Sequence, residues 1–430
     1  MNATTPRPLL VVGAGIAGVT AALEAAEAGH QVVLIDREPA VGGRVLRHHR
    51  YFPKMCPPAC GMEVNIQRLE RSRRVRALMQ TELVAARRDP HGWSVTLASA
   101  PAYVGPRCTA CGECSQVCPA AVADPHNLGM SRVPAIRLPH GGAWPRQYVL
   151  DRSACPEGCR KCVEACKCDA IDLGAQPGKS ELEAGAIVLC TGWQPYPIEK
   201  LPELGGGELQ DVIANVQLER LGAADGPTQG KILRPSDGQA PRAVAFVQCA
   251  GSRDVNHLPY CSGICCQASL KQALYVREQL PECAVTIYYI DRRTPGRAED
   301  LLARVTATAG VNLIKGKVGR IEASDGGQLV LRVEDVEAGR LLEAKADLVV
   351  LATGMVPNLR EGALGLDLRR DEDGFGLDDL DAGVLVAGVA RRPEDVAACV
   401  RDATGAAAKA IVAAASCASS SAGGAAARGA

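Results

Sequence analysis

Apolar and polar positions along this chain fall into strand-like runs separated by glycine turns and alanine-rich stretches. Residues 9–36, LLVVGAGIAGVTAALEAAEAGHQVVLID, read as an apolar strand, a glycine turn, a helix rich in alanine, and a second strand ending in an acid. That order is the strand-turn-helix-strand unit of a dinucleotide-binding fold. GAIVLCTG at 185–192 and DLVVLATG at 347–354 each read as a strand running into a turn, and GVLVAGVA at 383–390 as another strand, followed by a helix over 393–410. A strand at 243–248, a loop, a helix from about 267 to 279 and a strand at 285–290 form a second unit of the same kind. No apolar run approaches the roughly 20 residues of a membrane-spanning helix. After about Ala415 the chain becomes SCASSSAGGAAARGA, too small and polar to bury a core, which predicts a disordered tail.

Composition narrows the picture in four ways. At 430 residues the chain has room for two to three domains. Lysine plus arginine equal aspartate plus glutamate at 48 each, so no excess positive charge invites nucleic acid. Aromatic residues make up only 3%, so the core must be mostly Ala, Val, Leu and Ile. The 19 cysteines, with no secretory pattern in the first residues, point to the reducing cytoplasm.

The first glycine turn has a definite chemistry. Gly13 makes the tight turn, Gly15 lets backbone approach a pyrophosphate, and Gly18 lets the helix pack on the sheet. The helix amino terminus then faces phosphate with its partial positive charge, and Asp36 is placed to accept from ribose hydroxyls. The run Asp36-Arg37-Glu38 leads into Gly42-Gly43-Arg44, and this acid-then-GGR pattern resembles the two-dinucleotide-binding flavoproteins, which favours FAD over NAD. The same resemblance assigns the turns at Gly192, Gly354 and Gly388 to the cofactor-binding set. That family usually has an aspartate after its final glycine; this chain has Val389.

Cysteine spacing supplies the second kind of chemistry. CTACGECSQVCP, from Cys108 to Pro119, has the spacing and following proline of a bacterial ferredoxin, and CPEGCRKCVEAC ends at Cys166. In two-cluster ferredoxins the fourth cysteine of each run reaches across to the other cluster. On that rule Cys108, Cys111, Cys114 and Cys166 hold one 4Fe-4S cluster, and Cys155, Cys159, Cys162 and Cys118 the other. The second run departs from the pattern in its first gap and in having Lys167 where proline is expected. Structural zinc is the competing reading of paired CxxC units, and the three-cysteine turn closed by Cys118-Pro119 argues against it.

In the second nucleotide-binding unit the loop reads CAGSRDVNHLPYCSGICCQASLK. Only Gly251 survives of a glycine triplet, which disfavours NAD(P)H. Cys249, Cys261, Cys265 and Cys266 occupy the loop instead, and a third cluster, a redox disulfide and buried thiols compete to explain them. Cys56 and Cys60 have three open readings: cluster ligands, a dithiol exchanging with flavin, or structural thiols. Cys168, Cys190, Cys283, Cys399 and Cys417 lack ligand spacing and read as small apolar fillers or exposed thiols. His48 and His49 follow the GG turn; contact with the flavin or a partner is one reading, and solvated polar residues the preferred one.

The GGR turn, the inserted cysteine runs, FVQCAGSRD and YCSGICCQASLKQA together resemble the A subunit of heterodisulfide reductase. More narrowly, YFPKMCPPACGMEVN, GPTQGKILRPSDG and QCAGSRDVNHLPYCSGICC are similar to the A subunit of the quinone-interacting membrane-bound oxidoreductase. The likeness covers nearly the whole chain before the tail. It implies an FAD and iron–sulfur protein passing electrons between the quinone pool and adenylylsulfate reductase. Its partners would be two further subunits, one bearing a second flavin with iron–sulfur clusters and one a haem-bearing membrane protein. Through those partners it would lie in the cytoplasm, peripheral at the inner face of the membrane. The likeness also implies a cluster on Cys249, Cys261, Cys265 and Cys266, and a place near the flavin for Lys271, which without the resemblance reads as a surface lysine.

The expected architecture is α/β, a two-dinucleotide-binding-domain flavoprotein (Rossmann-like, thioredoxin-reductase-like) with an inserted ferredoxin-like domain. The FAD-binding domain takes residues 1–102, 174–240 with a connection, and 351–415. The insert takes 103–173, the second Rossmann-like domain with its cysteine-rich loop 241–350, and the tail 416–430. Two other kinds of function stay open: a stand-alone NAD(P)H-dependent disulfide oxidoreductase, and an assembly protein whose cofactors are structural.

Overall fold

The computed structural model describes residues 6–52, 54–359 and 364–426, with side chains as far as residue 416. Strand β1 (Leu9–Val12) has no polar position to offer solvent, and all four residues are buried. It pairs in parallel with β2 (Val32–Ile35) on one side and with the strand Ala186–Leu189 on the other. Val384–Val386 and β3 (Val75–Leu78) complete a parallel five-stranded sheet with β1 at its centre. Helix α1 (Ile16–Glu27) returns the chain from β1 to β2 across one face.

That face is packed with small side chains. Ala21, Ala22 and Ala25 of α1 share a core with Ala403, Ala406, Ala407 and Ala410 of the carboxy-terminal helix Val396–Ala426. Alanine facing alanine lets two helices approach closely, which is how a chain so poor in aromatic residues still excludes water. The opposite face is covered by an antiparallel sheet of β4 (Thr81–Asp89), β5 (Gly92–Ser99) and Gly178–Ala184, whose Leu83, Trp93, Val95 and Leu97 meet Leu10, Ile35, Ile187 and Leu189.

The carboxy-terminal helix corrects the tail expectation. It runs on to Ala426, through most of the segment expected to be disordered, and residues 427–430 lie outside the described ones. Alanine is the strongest helix former, and a helix already anchored on the sheet extends without a new nucleation cost.

The second sheet has seven strands. In order they are Val212–Ala214, Leu348–Thr353, Ala243–Ala250, Ala284–Tyr289, Val311–Ala323, Leu329–Asp335 and Arg340–Ala346, parallel through Val311–Ala323 and antiparallel beyond it. Residues 211–222 were expected to continue the FAD-binding domain or its connection. Instead Val212–Ala214 pairs with Leu348–Thr353 and the helix Asn215–Gly222 packs over this sheet, because a three-residue strand finds its hydrogen bonds on the open edge there. The strands Trp193–Pro195 and Met355–Pro357 pair antiparallel and join the two halves.

The cysteine-rich segment leaves and re-enters at one place. Gly105 N–H donates to Ala170 O at 2.7 Å and Asp172 N–H to Tyr103 O at 2.8 Å, forming a neck. Beyond it lie two short ribbons, Ala121–Ala123 with Arg132–Pro134 and Ile136–Arg137 with Val149–Leu150, and two one-turn helices, Glu113–Gln116 and Lys161–Glu164.

His126 and His140 of this segment stack at 5.0 Å between centroids. Burial, reinforced by the His126 charge, lowers the His140 pKa from 6.5 to about 4. Between those values the unfolded chain binds a proton that the folded one refuses, so stability falls as pH drops from 6.5 through 4. His140→Phe is expected to flatten that part of the curve, read as Tm against pH by circular dichroism.

Candidate functional site

A cavity of about 590 Å³ opens between the two glycine turns and reaches the second domain, a volume in the range of cofactor pockets. Gly13, Gly15, Asp36, Arg37, Gly43, Arg44 and Gly192 line it, as do Glu38, Trp193 and Val389. Gly13 has φ 104°, and a Cβ there would stand 2.3 Å from Cys190 O, so no other residue fits. Gly15 differs: an added Cβ would meet only Gly43 Cα, at 4.0 Å, leaving a groove between the two turns. The amino terminus of α1 begins at Gly15 with no side-chain cap, so its first N–H groups stay available to an anion. Asp36 accepts from Ala14 N–H at 2.6 Å and from Glu38 N–H at 2.8 Å, so its carboxylate fastens the first glycine turn to the end of β2 as well as lining the cavity. Burial raises its pKa, against those two hydrogen bonds. Arg44 donates to Trp193 O at 2.6 Å and lies 5.0 Å over the Trp193 ring; burial lowers its pKa to about 10. A narrow groove at a helix amino terminus, continuing into a long, mainly apolar chamber, fits the pyrophosphate and ring system of FAD.

Four expected cofactor glycines stand behind the wall. Gly18 packs α1 on the turn, where a Cβ would overlap Gly13 O. Gly42 N–H donates to Ala14 O at 2.8 Å and holds the two turns in register. Gly354 is closed in by Ser252 and Ser262 of the second domain, with Ser252 Oγ 2.4 Å from a would-be Cβ. Gly388 is placed by the Ala17 side chain and by its N–H to Asp402 Oδ2 at 2.8 Å, while its neighbours Ala387 and Val389 line the cavity.

The cysteines gather as three groups. Cys108, Cys111, Cys114 and Cys166 line one small cavity together with Tyr148 and Cys168, which brings Cys166 of the second run beside the first. Burial, then the neighbouring Cys108, Cys111 and Cys166, pushes the Cys114 thiol up to about 11. Ala110 N–H points to Cys108 Sγ and Ala170 N–H to Cys166 Sγ, each at 3.4 Å, the kind of donor that tunes a cluster's potential. Cys155 and Cys159 lie within electrostatic reach of Cys162, and Cys118 packs in the same small core. Among the described residues no three His, Cys, Asp or Glu side chains converge on a single-ion site. A cubane spreads its four thiolates around a larger centre than one zinc ion does.

Cys249, Cys261, Cys265 and Cys266 form the third group. Burial raises Cys265 first, and Cys249, Cys266 and Cys261 raise it further, which places all four together. Cys249 holds a left-handed φ of 56°. Cys265 and Cys266 open the helix Cys265–Gln279, so adjacent residues point differently around the first turn. Ile264, Gln267, Ala268 and Lys271, within two turns of those thiols, line the large cavity. A single helix start thus belongs to both sites.

Lys271 is not a surface lysine. It is buried, with Nζ 2.9 Å from Glu219 Oε1 and donating to Arg50 O at 2.6 Å. Glu219 also accepts from Gln272 Nε2 at 2.7 Å and from His49 N–H at 3.0 Å, and His48 Nδ1 lies 3.7 Å away. Burial pushes the Glu219 pKa up, but the Lys271 ammonium and then His48 outweigh it and hold the carboxyl below the usual range. His48 lines the cavity and His49 packs edge-on against Tyr275 at 4.8 Å, so neither is a solvated surface residue. Glu219 carries no local motif; only two charges inside the apolar pattern of NVQLERLG hinted at burial.

Cys56 and Cys60 sit beside Tyr51, whose backbone bridges to Cys56 and whose pKa is raised first by a hydrogen bond with that thiol. Tyr51 and Phe52 line the cavity; among the described residues that do so, the two cysteines are not included.

Residues 11–80 match a family model for an NAD(P)-binding Rossmann-like domain. The chain is 34% identical over 418 residues to the A subunit of the Ferredoxin:CoB-CoM heterodisulfide reductase of Methanosarcina mazei, covering 94% of this chain and 52% of that one. It is 34% identical to the A subunit of the H(2):CoB-CoM heterodisulfide,ferredoxin reductase of Methanothermobacter marburgensis, and equally to one of the iron-sulfur A subunits of the CoB--CoM heterodisulfide reductase of Methanopyrus kandleri, covering 93% of this chain and 63% of each relative. The chain therefore spans between about half and under two thirds of these relatives. Among solved structures, thioredoxin reductase from T. acidophilum matches with a TM-score of 0.52 at 13% identity, covering 96% of this chain and 98% of that one. The fold is the thioredoxin-reductase-like, Rossmann-type flavoprotein fold.

Two outcomes follow from the geometry. Gly15→Val is expected to fold with the Tm of flavin-stripped wild type and to emerge without flavin absorbance, because its side chain fills only the groove. Lys271→Met is expected to cost about 3–5 kcal/mol by leaving a buried carboxylate unpaired, and adding Glu219→Gln to recover part of that loss in urea unfolding.

Proposed function

We propose that this chain is the FAD and iron–sulfur electron-transfer subunit of an oxidoreductase complex of the heterodisulfide reductase A type. One observation carries the reading: the four-thiol group and the wall of the large cavity share the first turns of the helix Cys265–Gln279. Where a pyridine-nucleotide domain needs a glycine loop, this chain supplies ligands for a cluster against the flavin chamber. FAD accepts or releases electrons in pairs and 4Fe-4S clusters pass them singly.

The protein's own groups do the rest. Gly13, Gly15, Gly43 and the α1 amino terminus hold the phosphates, and Asp36, Arg37 and Arg44 fix the surrounding turns. Lys271, held by Glu219, keeps a positive charge on the cavity wall, where it favours an anionic ring. The insert presents its two thiol groups outside the neck, as a port to another redox protein.

The narrower form of the proposal follows the local stretches around Tyr51, Gly226 and Cys249. These support the A subunit of a quinone-interacting membrane-bound oxidoreductase, exchanging electrons between the quinone pool and adenylylsulfate reductase. The partner with a second flavin and the haem-bearing partner would supply the membrane contact, since no described helix is long and apolar enough to cross a membrane. A soluble heterodisulfide-reductase-like complex is the second reading, favoured by the names of the 34%-identical relatives.

Iron, sulfide and flavin analysis of anaerobically prepared protein tests the core proposal: about twelve irons per FAD are expected for three cubanes. About eight would remove the Cys249 to Cys266 site, zinc in place of iron would overturn the account, and flavin bleaching by NADH in the isolated chain would favour a stand-alone reductase. Isolation from membranes with a haem protein, and reduction by a quinol, separates the two complex readings.

A further inference from the structure

Arg220 is among the largest fully buried side chains of the molecule, with its side chain 1% exposed. Its three donor directions go to three different parts of the chain. Nε donates to Asn127 Oδ1 in the insert at 2.8 Å, Nη1 to Arg47 O at 3.1 Å in the turn that follows Gly43, and Nη2 to Asp225 Oδ1 at 2.6 Å beside its own helix. Arg47 itself lines the large cavity. The guanidinium therefore touches the flavin wall, the cysteine-bearing insert and the second domain at once.

The insert's side of this junction is also built. Asn127 Nδ2 donates to Asp124 Oδ2 at 2.8 Å and to Asp225 O at 3.3 Å, and Asp124 accepts from His126 N–H at 2.9 Å. His126 Nε2 lies 3.4 Å from Asp225 Oδ2, so Asp225 is held from both partners. Ordinary packing does not require such an arrangement. A buried charge is costly, and an apolar side chain of similar volume often serves stability as well. What an arginine adds is a rigid planar fork whose donors fix direction as well as distance. Its neighbour Glu219 faces the other way and holds Lys271, so adjacent residues of one short helix serve the flavin chamber and the insert.

We infer that Arg220 is a positioning residue that locks the insert at a set separation and orientation from the flavin cavity, through Asn127 on one side and the Arg47 carbonyl on the other. The inference rests on the flavin and iron–sulfur reading. Electron transfer between separate centres falls steeply with distance, and apart from the Arg220 contacts the insert is tied by the neck at residues 103–105 and 170–172 and by Val41 N–H donating to Trp144 O at 2.9 Å. The clamp adds a charged, directional tie at the flavin wall.

The test uses the full chain, loaded with flavin and iron, as wild type, Arg220→Gln and Asn127→Ala. Asn127→Ala removes the insert's acceptor, together with the Asn127 amide donors to Asp124 and Asp225, and leaves Arg220 its carboxylate and the Arg47 carbonyl. Expected for both variants are wild-type iron and flavin contents, unchanged cofactor midpoint potentials, faster hydrogen exchange across residues 124–131, and flavin-to-insert electron transfer slowed by about tenfold or more, the scale of loss that ångström-level misplacement produces. Arg220→Lys, with one point charge for a fork, is expected to recover part of the rate. Wild-type transfer rate and wild-type exchange in Asn127→Ala overturn the inference, even where Arg220→Gln fails to fold. Wild-type protein lacking flavin or iron would instead overturn the proposed function, while the exchange measurement still reports whether the clamp holds the insert.

Discussion

A carboxylate and an ammonium taken together out of water, Glu219 and Lys271, constrain the centre of this molecule. Neither is tolerated there alone, so each must arrive on its own element and meet at 2.9 Å. Glu219 comes on the helix Asn215–Gly222, Lys271 on the helix Cys265–Gln279, and the loop at His48 to Arg50 closes over both with a backbone N–H and a carbonyl. The second sheet, the cluster-bearing helix and the loop following the GGR turn are thereby brought into one arrangement. Hydrophobic burial supplies most of the stability, but it is non-directional; the ion pair and its hydrogen bonds decide how the halves face each other.

That arrangement explains why thiols, in place of a glycine loop, make sense at the start of the helix Cys265–Gln279. A glycine loop would leave the helix terminus for a phosphate. Here the first turn carries Cys265 and Cys266, and the same turn and the next present Gln267 and Lys271 to the chamber. The parallel-sheet fold is kept while the ligand at the helix terminus changes from a diffusing nucleotide to a fixed centre.

What could be read in the sequence was whatever chemistry is local. The turn from Gly13 to Gly18 and the acid at Asp36 lie within one strand-helix-strand unit, and their jobs follow from spacing. That Cys166 lies beside Cys108, Cys111 and Cys114 was legible, because ferredoxin-type spacing anticipates that neighbourhood. Glu219 and Arg220 were not, since all their partners but Asp225 lie tens of positions or more away and no periodicity marks them. Gly354 and Gly388 show a related limit: a strand-turn signature tells that a glycine is needed, but packing against Ser252 or Ala17 needs one as much as a cofactor does. The tail erred in the other direction, because composition that cannot build a core can still prolong a helix anchored elsewhere.

The neck at residues 103–105 and 170–172 has an evolutionary corollary. Since the chain departs and returns at adjacent positions, the whole cysteine-bearing segment can be gained, lost or exchanged without altering strand order in either sheet, and such insertion sites are readily tolerated. Topology thus leaves the segment interchangeable, whereas the contact between Asn127 and Arg220 does not. A lineage can swap the module that faces its redox partner, but only for one that brings a matching acceptor to a guanidinium already committed to the flavin side.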